Sequence, residues 1–281
     1  MSSEKMPDSQ YHITMENACS FSTTGQGPPL FLIHGIGASR QTWYKAMPAL
    51  AAHFTVVTYD LCGHGTSPLP ASRLTLDSLV EDLEWVRQES GFPQAHFAGH
   101  SLGGMIGPAY ALKYPQRVLS VGLLSTAAFR TPNDSAKVEA VVSAMEKEGI
   151  ADVLPTLTDR WFTDDFISDY PDVVTQRLQQ VIDTDPDVFL NVFRIYAATE
   201  MAPWLHKVMA PCLVLTGEND GGCNPRLNRQ IHAALTDSAL VILPGYKHSL
   251  LLEAGDIVAD HLIRFIQSLD TLKGSGELAD R

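Results

Sequence analysis

A chain of 281 residues, 45% of them hydrophobic, can bury a large core, and a formal net charge of −12 leaves no cationic face on which to hold a polyanion. Nucleic acid is therefore excluded as a partner, and the acidity reads as solubility. No apolar run approaches the roughly 20 residues of a membrane-spanning helix, so no membrane partner is expected.

The polar N-terminus, MSSEKMPDSQ, is expected to be neither a signal peptide nor an anchor. Cys19, Cys62, Cys212 and Cys223 show no C-x-x-C and no paired metal or disulfide spacing, and they read as reduced thiols in a cytoplasmic protein. Tyr11 to Asn17 and Ala18 to Thr24 alternate partially, as two edge strands joined by a turn would. Gly25 to Pro29 is a turn that feeds Leu30 to Ile33, a short apolar run suited to a strand buried on both faces. Next comes His34-Gly35-Ile36-Gly37. Glycines here let the backbone pass close to another element and leave amide hydrogens to point at a ligand, as an anion-stabilising loop requires. A plain strand-to-helix turn would look the same. An amphipathic segment from Gln41 to Ala51 precedes a strand from Phe54 to Tyr59, which ends in Asp60-Leu61-Cys62-Gly63-His64-Gly65-Thr66-Ser67. Leu74 to Glu89 carries Leu76, Leu79, Val80, Leu83 and Val86 at helical spacing.

The stretch Ala95 to Gly104, AHFAGHSLGG, is the one around which the chain is organised. Ala95 to Ala98 reads as a strand, and Leu102, Met105, Ile106, Ala109 and Leu112 give the helix that follows. Gly99-His100-Ser101-Leu102-Gly103 between them is a G-x-S-x-G pattern. A serine aimed outward from so sharp a turn adopts a strained backbone, and its neighbours two residues either side must be nearly devoid of side chain. Val118 to Leu124 is a further buried strand, ending at Ser125-Thr126-Ala127. From there to Trp204 the segment is rich in Asp and lacks a convincing strand. Helical pieces at Ser135 to Lys147, Asp172 to Ile182 and Asp187 to Ala197 are expected, with interruptions at Pro155, Pro171, Pro186 and Pro203. A strand from Pro211 to Thr216 then runs into Gly217-Glu218-Asn219-Asp220, and a helix from Pro225 to Leu235 follows. A strand from Ala239 to Leu243 leads to His248, a final helix covers Glu253 to Leu269, and the tail from Lys273 is expected to be disordered.

The order strand-HGIG, strand-DLCGHGTS, strand-GHSLGG resembles the α/β-hydrolase superfamily. The resemblance implies an α/β fold with a mostly parallel central sheet flanked by helices. Residues 1–129 and 204–281 form its core, and 130–203 form an inserted helical lid. It also implies that Asp60, Gly63, His64, Gly65 and Ser67 make a structural loop. Serine at its free pKa is a poor nucleophile and needs a base, which in turn needs an acceptor to fix its tautomer. Ser101, an acid and then His248 follow in the order this fold uses. Asp220 is favoured as the acid because the family pattern is Gly-x-x-Asp, with Glu218 as runner-up. The matching oxyanion donors are the backbone amides of Ile36 and Leu102. His34 and His100 read as loop-packing or pocket-lining residues. Trp161, Tyr196 and Trp204 are candidates for the pocket wall, and Cys223 either approaches the pocket or fills the core.

Ser101 excludes relatives with a carboxylate nucleophile. The C–C hydrolases of ring-fission products carry a tryptophan after the catalytic histidine, where this chain has Ser249. The chain looks similar to 3-oxoadipate enol-lactonases and neighbouring carboxylesterases, through Ser125-Thr126-Ala127-Ala128 and Arg160-Trp161-Phe162-Thr163. It implies hydrolysis of a small ester or lactone through an acyl-enzyme, with no metal and no organic cofactor. An anionic substrate would meet a lid cation, Arg130, Arg160, Arg177 or Arg194. C–C hydrolysis, acyl transfer on the same residues and a non-catalytic ligand receptor remain open at this stage.

Overall fold

Strands buried on both faces need apolar residues at every position, and the alternate residues must then serve two separate cores. A computed structural model of the chain, which describes residues 18–276, has seven strands among those residues. They are β1 (Phe21–Thr24), β2 (Pro29–Ile33), β3 (Thr55–Tyr59), β4 (Ala95–His100), β5 (Val118–Leu124), β6 (Cys212–Gly217) and β7 (Ser238–Leu243). Their order in the sheet is β1-β3-β2-β4-β5-β6-β7. Only β1 runs antiparallel to its neighbour, and every other pair is parallel. All six residues of the central β4 are buried. Phe31, Ile33, Val57, Phe97, Val121 and Leu123 face one core, and Leu30, Leu32, Val56, Ala98, Leu124 and Leu213 face the other.

In chain order the helices are α1 (Met47–Ala51), α2 (Leu76–Glu89), α3 (Gly103–Lys113), α4 (Pro132–Glu148), α5 (Ile150–Trp161), α6 (Asp164–Asp169), α7 (Pro171–Asp183), α8 (Pro186–Ala198), α9 (Pro225–Ala234), α10 (Leu250–Glu253) and α11 (Gly255–Gly276). Helices α2, α3 and α9 contribute Leu79, Met105 and Ile231 to the first core, whereas α1 and α11 contribute Leu50 and Leu262 to the second. Helices α4 to α8 lie between β5 and β6, within the stretch 130–203 read as a lid. Pro132, Pro171 and Pro186 each stand at the first position of a helix, where the missing N–H would have had no partner. Every loop that follows a parallel strand opens at the carboxyl edge of the sheet, the edge at which open α/β sheets place their sites.

Several expectations need correction. The segment Gln41 to Ala51 forms only a single 3-10 turn at Arg40–Trp43 and the five-residue α1. Pro155 does not interrupt the chain but lies inside α5. Its side chain and Ala151, whose carbonyl it leaves without a helical partner, are both on the exposed face, where that carbonyl is open to solvent. Helices α5 and α6 fill a stretch in which no helix was expected. The final helix is broken at Ala254, and α11 continues through Lys273 to Gly276. The strand expected at 11–17 and the last five residues of the tail lie outside the described residues.

Candidate active site

The turn after β4 is strained as the G-x-S-x-G pattern predicts. Ser101 has φ 57°, an uncommon backbone for a residue with a Cβ, and its N–H is held by the Leu124 carbonyl at 2.9 Å. The flanking glycines have no alternative. A Cβ at Gly99 would stand 1.9 Å from the Gly103 carbonyl oxygen, and one at Gly103 would stand 2.3 Å from that of Ile33. Strand, turn and helix are thus pressed together, and the serine is fixed at their crossing.

Asp220 and His248 meet across the loops that follow β6 and β7. His248 Nδ1–H donates to Asp220 Oδ2 at 2.7 Å. The other carboxylate oxygen, Oδ1, accepts from the Gly222 and Cys223 amides at 3.0 and 2.8 Å. Burial would raise the Asp220 pKa, but His248 and these amides outweigh it and hold the carboxyl below its ordinary value. Burial likewise depresses His248, and the Asp220 charge and hydrogen bond overcome this to raise its pKa above that of free imidazole. Glu218 is exposed and accepts instead from the Gly245 N–H at 3.0 Å, so it takes no part in this pair. The His248 carbonyl accepts from His100 Nε2–H at 2.9 Å. Burial, reinforced by His248, brings the His100 pKa down to about 3, so that ring is neutral.

The loop after β2 backs onto the serine: a Cβ at Gly35 would lie 3.0 Å from Ser101 Cβ. His34 is fully buried, and burial lowers its pKa to about 4. The neutral ring accepts from the Leu61 N–H through Nε2 at 2.9 Å and donates through Nδ1–H to the Gly35 carbonyl at 2.8 Å. In a trans peptide the carbonyl and the next N–H point opposite ways, so this bond turns the Ile36 N–H away from the His34 ring. Among the described residues the N–H groups of Ile36 and Leu102 meet no acceptor, which is rare for buried amides and leaves both for a ligand. His64, in the loop after β3, is buried with its Nδ1 against the Cys62 carbonyl at 3.1 Å, away from the serine.

Ser101, His248 and Ile36 line a cavity of about 120 Å³. One enclosed water needs roughly 10–15 Å³, so a small organic molecule fits. His100, Trp161 and Tyr196 contribute to the wall, as does Cys223, whose Sγ lies 3.2 Å from the Tyr196 hydroxyl. His34 and Trp204 do not line it: the first is sealed behind the loop, and the second packs into the core at the start of a 3-10 turn. Of the four arginines expected to meet an anionic substrate, Arg130 is bound to the Tyr196 and Thr199 carbonyls, and Arg194 pairs with Glu139 and Glu146. Arg160 and Arg177 reach the cavity. Asp220, Cys223 and His248 bring possible metal-ligand atoms within 4.8 Å of one another, but a cation there would displace the Nδ1–Oδ2 bond.

A strained serine, a buried carboxylate–imidazole pair and two unpaired amides at the carboxyl edge of a parallel sheet define a hydrolase of the α/β class. A family model described as "alpha/beta hydrolase fold" matches residues 28–255, and the chain belongs to that family. It is 27% identical over 205 residues to 3-oxoadipate enol-lactonase 2 of Acinetobacter baylyi, covering 72% of this chain and 76% of that one. It is 26% identical over 240 residues to (E)-2-((N-methylformamido)methylene)succinate hydrolase of the same organism, covering 83% and 88%. A hydrolase from Pseudomonas aeruginosa superposes with a TM-score of 0.81 at 27% identity over 88% of this chain and 94% of that one. The enol-lactonase from Burkholderia xenovorans gives 0.81 at 24% identity over 89% and 96%, a likeness of fold alone.

Proposed function

We propose that the chain is a serine hydrolase that cleaves a small carboxylic ester or lactone by two-step acyl transfer. The observation that carries this reading is the 2.7 Å bond from His248 Nδ1 to Asp220, which leaves Nε2 as the basic atom in the cavity that Ser101 lines. His248 takes the Ser101 proton as Oγ attacks the substrate carbonyl. The Ile36 and Leu102 amides receive the oxyanion, each donor contributing about 3 kcal/mol in the transition state. His248 then protonates the leaving oxygen, and water repeats the sequence in reverse to free Ser101. Asp220 holds the tautomer and stabilises the imidazolium without taking the proton. Every step uses side chains and amides of this chain.

The size of the cavity favours a small substrate, and the relatives named as an enol-lactonase and a succinate-derivative hydrolase favour an ester or lactone. Arg160 makes no hydrogen bond or ion pair among the described residues, so a substrate carboxylate would find a cation at the cavity wall. The protein acts on a small-molecule partner and works in the cytoplasm. Among the described residues no helix is long and apolar enough to cross a membrane. The test is a hydrolysis time course on p-nitrophenyl acetate and on an enol-lactone, with wild type beside Ser101→Ala. Turnover that the substitution abolishes supports the reading, and the ratio of the two rates chooses between ester and lactone. Wild-type turnover that survives in Ser101→Ala contradicts it.

A further inference from the structure

We propose that Arg177, carried by α7 of the lid, is a positioning residue for the oxyanion loop, so that the Ile36 donor is correctly aimed only while α7 is seated on the core. The proposal rests on the Ser101 reading above. Arg177 and the loop are far apart in sequence, yet Nη1–H donates to the Gly37 carbonyl at 2.6 Å and Nη2–H to the Ile36 carbonyl at 2.9 Å. These are charge-assisted bonds, the stronger kind. The loop's own closing bond, from the Ala38 N–H to the Gly35 carbonyl, is 3.4 Å long and correspondingly weak. Gly37, at φ 57°, is a place where the adjoining peptide can flip cheaply. A flip would turn the Ile36 carbonyl and, through the Ile36 torsions, the N–H that precedes it. His34 fixes the peptide on the upstream side from the core, and Arg177 fixes the two downstream from the lid.

The surroundings of Arg177 fit this task. No carboxylate pairs with it among the described residues, and burial alone lowers its pKa to about 10. A half-buried cation without a counter-ion is costly, and here the two carbonyls and the face of Trp161, 4.9 Å away, are what hold it. The same loop residue also seats the lid. A Cβ at Gly37 would lie 2.5 Å from Phe189 Cε2 on α8 and 3.3 Å from Val181 Cγ2 on α7.

The experiment compares Arg177→Met and Arg177→Lys with wild type on neutral p-nitrophenyl acetate and on an ester bearing a carboxylate, after each variant has shown a cooperative melting transition. Losing a whole oxyanion donor lowers kcat about 10²–10³-fold, so misaiming one is expected to lower it about 10–100-fold in Arg177→Met. KM should stay within about threefold, and the loss should be equal on both esters. Lysine keeps the charge but can serve only one carbonyl at a time, so Arg177→Lys is expected to fall between the two, at least about fivefold below wild type. Inhibition by a boronic acid, which forms a tetrahedral adduct at the serine, should weaken in parallel with kcat. Binding of the carboxylic acid product should not change. Wild-type kcat in either folded variant overturns the proposal, as does a loss confined to KM for the carboxylate ester, which would make Arg177 a substrate ligand. Wild-type turnover absent from Ser101→Ala but unchanged in Arg177→Met sinks this proposal alone. Turnover retained in Ser101→Ala overturns the hydrolase reading and this proposal with it.

Discussion

Replacing Asp220 by asparagine isolates the role of the carboxylate because the local hydrogen bonds decide how the new amide must turn. Two backbone donors, the Gly222 and Cys223 amides, converge on Oδ1 at 3.0 and 2.8 Å. Asparagine has one acceptor oxygen, and turning its NH2 toward those amides would leave two buried donors unsatisfied, at about 1–3 kcal/mol each. The oxygen therefore takes the Oδ1 place, and the NH2 group faces His248 across what was a 2.7 Å bond. Nδ1 must then accept, which leaves the proton on Nε2, the atom that in the proposed mechanism receives it from Ser101. An imidazole held in the wrong tautomer loses about 10⁴-fold in kcat, or about 5 kcal/mol. The assay is kcat/KM on p-nitrophenyl acetate across pH 5–9 for wild type and Asp220→Asn, with melting curves to show that both fold. Activity of the variant within tenfold of wild type would refute the reasoning.

Three further outcomes follow from the same structure. In the proposed mechanism the base must be neutral to act, so kcat/KM is expected to rise with pH through the His248 pKa. Burial lowers that pKa and Asp220 raises it, so the acid limb should move to lower pH in Asp220→Asn; a limb that stays or moves up contradicts the assignment. In Gly99→Ala the new Cβ, 1.9 Å from the Gly103 oxygen, forces strand and helix apart, and the unfolding free energy from denaturant titration should fall by about 3 kcal/mol, whereas a wild-type value would show that the turn is not so tightly pressed. Asp82 on α2 is buried with Oδ2 unpaired, and burial, then Glu81, raises its pKa from 3.8 to about 7. The folded state holds that proton more tightly than the unfolded one, so this contribution to stability is present below pH 3.8 and is lost as pH rises toward 7. Asp82→Asn should match wild type near pH 4 and exceed it above pH 7 by at most roughly 4 kcal/mol; a difference in urea midpoint that does not vary with pH would contradict the assignment.

The parts of the site legible in the sequence are those whose physics is local. Gly99 and Gly103 announce the turn around Ser101 because their Cβ atoms have nowhere to go, and the short apolar runs announce the parallel strands. Pattern alone distinguished Asp220 from Glu218, and the structure gives the reason in the two amides and the imidazole that converge on Asp220. Contacts between distant segments left no such trace. Nothing around Arg177 signals that its guanidinium meets Ile36 and Gly37, and nothing around Arg130 signals that it is bound to carbonyls and stacked 4.4 Å from the Tyr196 ring rather than facing the cavity. Helix α5 was hidden by Pro155, which reads as a breaker but sits on a solvated face. His34 and Trp204 carry side chains suited to a pocket, and only the packing places them behind its wall.

The most direct test of the central claim is to mix the protein with p-nitrophenyl acetate, quench with acid within the first turnovers and measure the intact mass and the modified peptide. The account predicts an added acetyl group on the peptide containing Ser101, absent in Ser101→Ala and persistent in the His248→Ala variant only at a much reduced rate of formation. An acetyl group on any other residue accompanied by undiminished turnover in Ser101→Ala would contradict it.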